Sequence, residues 1–310
     1  MISASNSSFA RLLWSALAAA ALSMAAITVS AQRADFSTIQ IKTTKLTDSI
    51  YTLEGSGGTI GVLAGPDGVF MVDGQFAALT QKIVAAIKQI SNAPIRYMVN
   101  THVHGDHTGG NETLGKMGVV IISRPQLRER LMHPSPAANG TPGVPAPAAA
   151  LPVLTYEGQL TMRMNGEEIQ MIAIPRAHTD GDTMVYFPKS NVILSGDFYR
   201  SVGYPNIDRA NGGSLNGLVD GLGALIGIAG PNTKIVPGHG PTVGRAEVTK
   251  TRDMLLVMRD RIVQMVAQGR TQQETLDAHP TADYDASVPE AKNSMDRFVT
   301  QMYQELKAAQ

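Results

Sequence analysis

The feature that most constrains this chain is a short, largely apolar segment that runs directly into a cluster of histidines. Residues 95–99 predict a buried β-strand, and the next few residues bring His102, His104, Asp106 and His107. In a packed core each of these polar groups would need its own buried hydrogen-bond partner. Nitrogen and oxygen ligands on a loop held by a strand suit a borderline cation such as zinc, so the segment predicts a metal site.

The amino terminus predicts export. Arg11 is the only charged residue before Arg33, and it is followed by an Ala- and Leu-rich run that ends in small residues. This pattern is typical of a cleaved signal peptide over residues 1–31. A transmembrane anchor is the alternative, but the run is at the short limit for spanning a bilayer. We therefore expect a periplasmic or secreted mature chain with no stable membrane anchor.

Composition limits the partners and the ligand types. Removing residues 1–31 deletes one of 26 basic residues and none of the 26 acidic ones, which leaves a net charge of −1 with histidine neutral. This near-neutral balance argues against nucleic acid as a partner. The chain has no cysteine, so every metal ligand must be histidine, a carboxylate, a backbone group or water.

The rest of the chain alternates strands and helices around the cluster, and we interpret residues 32–310 as a single domain. A metal loop at the carboxyl end of a strand is where open α/β sheets place their sites. Residues 133–152 are rich in proline and predict a long surface loop near the site, with a domain linker as the alternative. Residues 247–310 predict a set of carboxyl-terminal helices. Strands are predicted at 59–64, 69–72, 119–122, 160–164, 168–173, 184–187, 192–194 and 234–236, and further helices at 77–90, 125–132 and 215–228.

Three further residues repeat the arrangement in which a strand ends and a ligand-type side chain appears close to a glycine. They are His178, Asp197 and His239. Together with the first cluster they make seven ligand-type side chains, which is too many for one tetrahedral zinc and suits two ions that share a bridging ligand.

The motifs His-Val-His-Gly-Asp-His, Ala-His-Thr-Asp-Gly-Asp, Ser-Gly-Asp-Phe and Pro-Gly-His-Gly resemble those of the metallo-β-lactamase superfamily, over roughly residues 45–245. The resemblance implies a four-layered αββα sandwich with two zinc ions at one edge. Asp197 would bridge the ions or complete the second site, and Asp73 would support the metal loop without binding metal. By the same resemblance the first ion takes His102, His104 and His178, and the second takes Asp106, His107 and His239.

Two resemblances within the superfamily point to different substrates. Asp197 stands where the cysteine-containing β-lactamases have Cys. Aspartate at this position resembles the pattern of lactonases and glyoxalase II. Arg200 and Asn206 instead resemble the substrate-binding residues of those lactamases, and a guanidinium can bind a carboxylate through two hydrogen bonds. The alternatives are a solvated surface residue for Arg200 and a turn residue for Asn206.

From these residues we expect an exported zinc-dependent hydrolase that opens a cyclic amide or ester of a small molecule. Two zinc ions would generate a bridging hydroxide that attacks the carbonyl carbon, and Asp106 would orient this nucleophile. A β-lactamase is the first choice of activity, and a lactonase or glyoxalase II-like thioesterase is the alternative. A di-iron redox protein and a metal-binding module without catalysis remain as other classes.

Overall fold

The first β-sheet carries the predicted metal loop. The structure is a computed structural model that describes residues 35–136 and 140–309. Within that part of the chain this sheet has seven strands in sequential order, antiparallel up to the fourth strand and parallel from the fourth to the seventh. They are β1 (Lys42–Lys45), β2 (Ile50–Glu54), β3 (Ile60–Gly65), β4 (Gly68–Val72), β5 (Ile95–Val99), β6 (Val120–Ser123) and β7 (Leu154–Thr155).

The second sheet has five strands among the described residues, and strands that are neighbours in the sheet are also successive in the sequence. They are β8 (Gln159–Met164), β9 (Glu167–Ala173), β10 (Thr183–Phe187), β11 (Val192–Leu194) and β12 (Lys234–Val236). Asn165 and Gly166 join β8 to β9 in a hairpin turn, with φ angles of 55° and 71°. Two consecutive left-handed residues give the turn that matches the twist of antiparallel strands.

Successive side chains of the central strands point to opposite faces of the sheet, and both faces are apolar. Phe70 and Val72 of β4 face the second sheet, where they join Val185 and Phe187 in one core. Met71, between them in sequence, faces the other way into a separate core. A strand that is buried on both faces has a continuous run of apolar residues in its sequence, and residues 69–72 form such a run.

Helices cover the outer face of each sheet. Those of the described residues are α1 (Thr80–Ile90), α2 (Gly105–Thr108), α3 (Asn111–Lys116), α4 (Pro125–Met132), α5 (Leu215–Ile228), α6 (Arg245–Ala267), α7 (Gln272–Asp277), α8 (Ala282–Asp285) and α9 (Met295–Ala308). Ile83 of α1 packs on the first sheet, whereas Leu222 of α5, Met258 of α6 and Phe298 of α9 pack on the second. The αββα sandwich that the sequence predicted is therefore confirmed.

Three local features differ from the prediction. Part of the metal loop, Gly105–Thr108, is a single helical turn, and α3 was not predicted because its short segment has few apolar residues to show a helical period. The predicted region of carboxyl-terminal helices is interrupted before the last helix, which begins at Met295. Glu290 adopts a left-handed backbone with φ 58°, which interrupts the helical path before a short 3-10 turn.

The proline-rich segment has neither strand nor α-helix in its described residues, and it contains one short 3-10 turn at Ala148–Ala150. Its end approaches the base of the metal loop, because the Asn111 side-chain amide donates to both the Ala150 carbonyl and Asn100 Oδ1. From Phe36 onward the chain forms one compact unit. The predicted signal peptide lies outside the described residues, and none of the described helices has the length and apolar character to span a membrane.

Candidate metal centre

The seven ligand-type side chains converge at one edge of the sandwich. β5 leads into His102 and His104, and the helical turn α2 carries Asp106 and His107. The second sheet supplies the rest: His178 lies in the loop between β9 and β10, Asp197 follows β11, and His239 follows β12. Segments that are far apart in sequence therefore meet because the strand ends of both sheets lie at the same edge.

The side chains form three overlapping groups whose ligand atoms lie within 4.8 Å of one another. Two of the groups match the two sets implied by the sequence resemblance. The third joins His102 and His107, one from each set, with Asp197. A carboxylate that belongs with both sets is placed as a bridging ligand would be. The groups are His102, His104 and His178; Asp106, His107 and His239; and His102, His107 and Asp197.

Three buried atoms of the cluster form no well-aligned hydrogen bond: His102 Nε2, His107 Nε2 and Asp197 Oδ1. The last two lie 3.2 Å apart and form an ion pair when His107 is protonated. Buried polar atoms are nearly always paired, so atoms left without a well-aligned bond in a cleft of histidines and carboxylates call for another partner. A divalent cation satisfies them all, and nitrogen with carboxylate oxygen is a donor set that zinc accepts. The residues present thus fit two metal ions.

Each histidine of the first group is oriented by a hydrogen bond on the ring nitrogen that faces away from the centre. His178 Nδ1 donates to the Asn206 carbonyl at 2.7 Å, and His104 Nε2 donates to Asp208 Oδ2 at 2.7 Å. His178 Nε2 and His104 Nδ1 then face each other across 2.9 Å. A metal would be held by these two atoms and by His102 Nε2, whose other nitrogen lies 3.1 Å from Thr101 Oγ1.

Asp73 forms hydrogen bonds to the metal loop from the side away from the cluster. Its side chain is buried and lies at the end of β4 with a left-handed φ of 66°. It accepts hydrogen bonds from Thr101 N at 2.7 Å, Thr101 Oγ1 at 2.6 Å and His107 Nδ1 at 2.7 Å. One carboxylate therefore fixes both the start of the metal loop and the ring of His107, so that Nε2 of this ring faces the cluster.

Asp182 shapes the loop that carries His178. Its carboxylate accepts from Thr179 Oγ1 at 2.6 Å and from the Thr179 backbone N–H. Burial raises the pKa of Asp182 to about 7, against these hydrogen bonds, which favour the charged form. The next residue, Thr183, donates its backbone N–H to the Thr101 carbonyl at 2.8 Å, and this bond joins the two ligand loops.

Close packing explains two glycines of the sequence motifs. A Cβ atom on Gly58 would overlap the His107 ring, and one on Gly238 would overlap Asp197 Oδ1. The glycine-rich turn 55–58 joins β2 to β3 and leaves room for the His107 ring. The glycine of Pro-Gly-His-Gly does the same for the Asp197 carboxylate.

His102 and His178 of the first group favour the neutral form. Burial is the largest influence on both His102 and His178, and it lowers the pKa of His178 to about 4 and that of His102 well below its usual value. Neutral imidazole is the form that binds metal.

The two histidines of the second group favour the protonated form when no metal is bound. Burial alone would lower the pKa of His107, but Asp197 and Asp73 outweigh it and raise that pKa well above its usual value. Burial is likewise outweighed at His239, where Asp106 and Asp197 raise the pKa to about 9. In the metal-free protein, protons therefore neutralise the carboxylates that a second cation would neutralise.

Sequence reasoning missed Asp208 and gave Asn206 a different role. Asp208 also accepts from Asn211 N, so by sequence it is only a residue that caps a short turn. The Asn206 side chain accepts from Gln301 Nε2 at 2.8 Å, while its carbonyl accepts from His178. No sequence signal links these residues to the metal loop, because the contacts are made across the fold. A substrate contact by Asn206 stays a prediction.

Arg200 lies on the segment that follows Asp197. Its Nε donates to the Val202 carbonyl at 2.8 Å, and no carboxylate among the described residues forms an ion pair with it. It lines a mainly apolar cavity of about 430 Å³ together with Tyr199, Pro241 and Val288. Asp106 and His239 are about one-fifth exposed, so the centre opens to solvent on their side.

Comparison with known proteins gives one family match. The profile of the Metallo-beta-lactamase superfamily matches residues 53–239. This range includes all seven ligand-type residues and ends before the carboxyl-terminal helices.

Curated relatives of this chain have several activities. A linear primary-alkylsulfatase of Pseudomonas sp. is 24% identical over 292 residues, covering 78% of this chain and 54% of the relative. A hydroxyacylglutathione hydrolase of Nitrosococcus oceani is 30% identical over 146 residues, covering 47% and 48%. Metallo-beta-lactamase IND-1 of Chryseobacterium indologenes is 26% identical over 180 residues, covering 56% and 68%. The chain spans about half the length of the first two.

Solved structures share the fold. The sec-alkylsulfatase Pisa1 from Pseudomonas sp. superposes with a TM-score of 0.67 at 16% identity, covering 85% of this chain and 50% of that one. A metallo-beta-lactamase from Pontibacter korlensis superposes with a TM-score of 0.58 at 19% identity, covering 70% and 99%.

Proposed function

This chain belongs to the metallo-beta-lactamase superfamily, and from that premise we propose that it is a hydrolase that binds two zinc ions and acts on a small molecule. The observation that carries the proposal is the convergence of seven ligand-type side chains around buried atoms that form no well-aligned hydrogen bond. His102, His104 and His178 would hold the first ion. The second set, Asp106, His107 and His239, would hold the other, with Asp197 between them.

The chemistry that such a metal pair supplies is a hydroxide formed from water at neutral pH and polarisation of the bond to be cleaved. The protein's own residues orient the reaction. Hydrogen bonds from His239 outweigh the effect of burial and lower the pKa of Asp106, which keeps this carboxylate ionised. Asp106 lies on the open side of the centre, and we assign it the role of accepting a hydrogen bond from the attacking water.

We propose Arg200 as the residue that binds an anionic group of the substrate. Its guanidinium has no carboxylate partner among the described residues and lies three positions after Asp197. Arg297 of α9 approaches the same loop, with Nη2 3.5 Å from the Tyr204 carbonyl. Burial and the nearby Arg200 lower the pKa of Arg297, and Asp197 offsets this only in part. An anionic substrate would add a counter-ion for the two guanidinium groups.

A β-lactam is the first substrate to test. Its carboxylate would suit Arg200, one curated relative is a metallo-beta-lactamase, and the predicted signal peptide would export the chain to where β-lactams act. Lactones and glutathione thioesters come next, because Asp197 replaces the cysteine of the lactamases and another relative is named a hydroxyacylglutathione hydrolase.

Alkyl sulfate esters are a second candidate class. The alkylsulfatase relative covers more of this chain than the other two do, and the alkylsulfatase structure extends over 85% of it. The mainly apolar cavity beside Arg200 is large enough for part of an alkyl chain, with the sulfate next to the guanidinium.

The test is a substrate panel with the zinc-loaded full chain: nitrocefin, an acyl-homoserine lactone, S-lactoylglutathione and a medium-chain alkyl sulfate. Turnover must be lost on chelation and recovered with zinc. Arg200→Ala should raise KM for the preferred anionic substrate by about tenfold or more, which corresponds to about 1.4 kcal/mol. Arg163→Ala, on exposed β8, is the control. A chain that binds no zinc contradicts the hydrolase proposal. Turnover of the other substrate classes, with no turnover of nitrocefin, contradicts the β-lactamase assignment.

Location is part of the proposal. The predicted signal peptide places the mature protein in the periplasm or outside the cell. Amino-terminal sequencing of protein from the periplasmic fraction should begin near Gln32, and full-length chain in the cytoplasm would contradict the assignment.

A further inference from the structure

One face of the last helix is turned toward the segment that supports the metal centre. Arg297, Gln301 and Glu305 are spaced four residues apart on α9, so they lie on the same face. Arg297 approaches the Tyr204 carbonyl at 3.5 Å, and Glu305 accepts from the Leu215 N–H at 2.9 Å. Gln301, between them, contacts the middle of the same segment.

Gln301 binds two consecutive residues through both ends of its amide. Its Oε1 accepts from the Ile207 N–H at 3.0 Å, and its Nε2 donates to Asn206 Oδ1 at 2.8 Å. Ile207 is fully buried, so its N–H would be left without water if this partner were removed. The amide therefore fixes both the backbone and the side chain at residues 206–207.

Gln301 contacts Asn206 and Ile207. Asn206 and the next residue after this pair, Asp208, carry the groups that orient His178 and His104. The Asn206 carbonyl accepts from His178 Nδ1, and Asp208 accepts from His104 Nε2, each at 2.7 Å. Asp208 is also tied back to the His178 loop, because its N–H donates to the His178 carbonyl at 2.9 Å. A shift of this segment would therefore turn two imidazoles at once.

We infer that Gln301 is a positioning residue for the first metal ion, acting through Asn206 and Asp208 on His178 and His104. The inference rests on the proposed function, since it takes these histidines as ligands. Gln301 lies beyond the residues that match the family profile, so a helix outside the matched region would set the geometry of the centre. Removing a group that orients a ligand typically weakens metal binding by about 10- to 100-fold.

A matched control lies on the same helix. The Gln304 amide donates to Gln272 Oε1 at 3.2 Å on an exposed surface and has no contact with residues 204–215 among the described hydrogen bonds. Gln304→Met and Gln301→Met make the same chemical change. Only Gln301→Met removes a contact with residues 206–207.

The experiment measures zinc affinity of the full chain by competition with a chromophoric chelator. Each glutamine variant is made in two backgrounds. His239→Ala leaves the first ligand group intact, and His104→Ala leaves the second ligand group intact. Gln301→Met should weaken zinc binding by about 10- to 100-fold in the His239→Ala background and by less than about threefold in the other. Gln304→Met should change neither. Gln301→Glu should restore most of the affinity, because it still accepts from Ile207 N and Asn206 can turn its amide to donate.

Two outcomes would overturn the inference. Unchanged affinity of Gln301→Met in the His239→Ala background would show that the amide does not position the ligands. An equal loss in both backgrounds, with a lower melting temperature of the chelated protein, would show a general role in folding. If Gln301→Met does not fold, Asn206→Ala takes its place under the same criterion, since it removes the Nε2 contact and keeps the carbonyl. Wild-type protein that binds no zinc would contradict the proposed function instead.

Discussion

His104 donates its Nε2 proton to Asp208 Oδ2 at 2.7 Å, although 104 positions separate the two residues in sequence. The bond leaves His104 Nδ1 facing His178 and the centre, which is an orientation that the sequence motif alone does not specify. Hydrogen bonds from His104 and Asn211 outweigh burial and lower the pKa of Asp208, so this partner is an anion at neutral pH. An anionic acceptor also raises the basicity of the imidazole as a ligand.

Asp208→Ala should therefore weaken binding of the first zinc ion by about 10- to 100-fold and lower kcat at limiting zinc. The His104 ring would lose its only described carboxylate partner and could turn away from the metal. Zinc titration followed by native mass spectrometry would measure the loss of one ion. Asp277→Ala, on exposed α7, is the control, and equal zinc binding by the two variants would contradict the prediction.

Gly58→Ala should prevent binding of the second zinc ion while leaving a folded protein. The added methyl group would overlap the His107 ring, and displacing that ring would break its bond to Asp73. Zinc stoichiometry should fall from two to one. Gly158→Ala makes the same change where no atom lies within 4 Å of the new Cβ, and it should keep two ions.

Binding of the second ion should release protons at pH 7, and its affinity should rise as pH increases toward 9. His239, with a pKa of about 9 in the metal-free protein, and His107, whose pKa is also raised, must both lose a proton to bind zinc. His178, with a pKa of about 4, is already neutral at that pH, so it should release none.

Calorimetry in buffers with different ionisation enthalpies would count these protons, and about one or two should be released with the second ion. The variant His239→Ala removes one titrating ligand and should release fewer. A heat of binding that does not change with the buffer would contradict the protonation pattern.

Asp73→Ala should destabilise the metal-free protein by about 2–4 kcal/mol, because it leaves Thr101 N and His107 Nδ1 without their buried partner. Alanine also tolerates the left-handed backbone at this position less well than aspartate does. Asp73→Asn keeps the shape and the acceptor oxygen, so it should cost less. Urea unfolding of chelated samples would measure both, and an equal loss for the two variants would contradict this account.

The sequence by itself determined the local elements and the set of candidate ligands. Strands β10 to β12 and helices α4 and α5 lie within a residue of their predicted positions, because side-chain periodicity and flanking turns are local properties. The seven ligand-type residues were found for the same reason: each follows a strand, and their spacing is written in contiguous motifs.

Only the tertiary structure decided which atoms face the centre. The partners Asp208, Asn206 and Gln301 are supplied by a loop and a helix whose side chains carry no local signal of contact with His104 or His178. Hydrogen bonds of this kind depend on the packing of α9 against the second sheet. That packing places residues about 100 positions apart within 3 Å, and no pattern of neighbouring residues encodes such a distance.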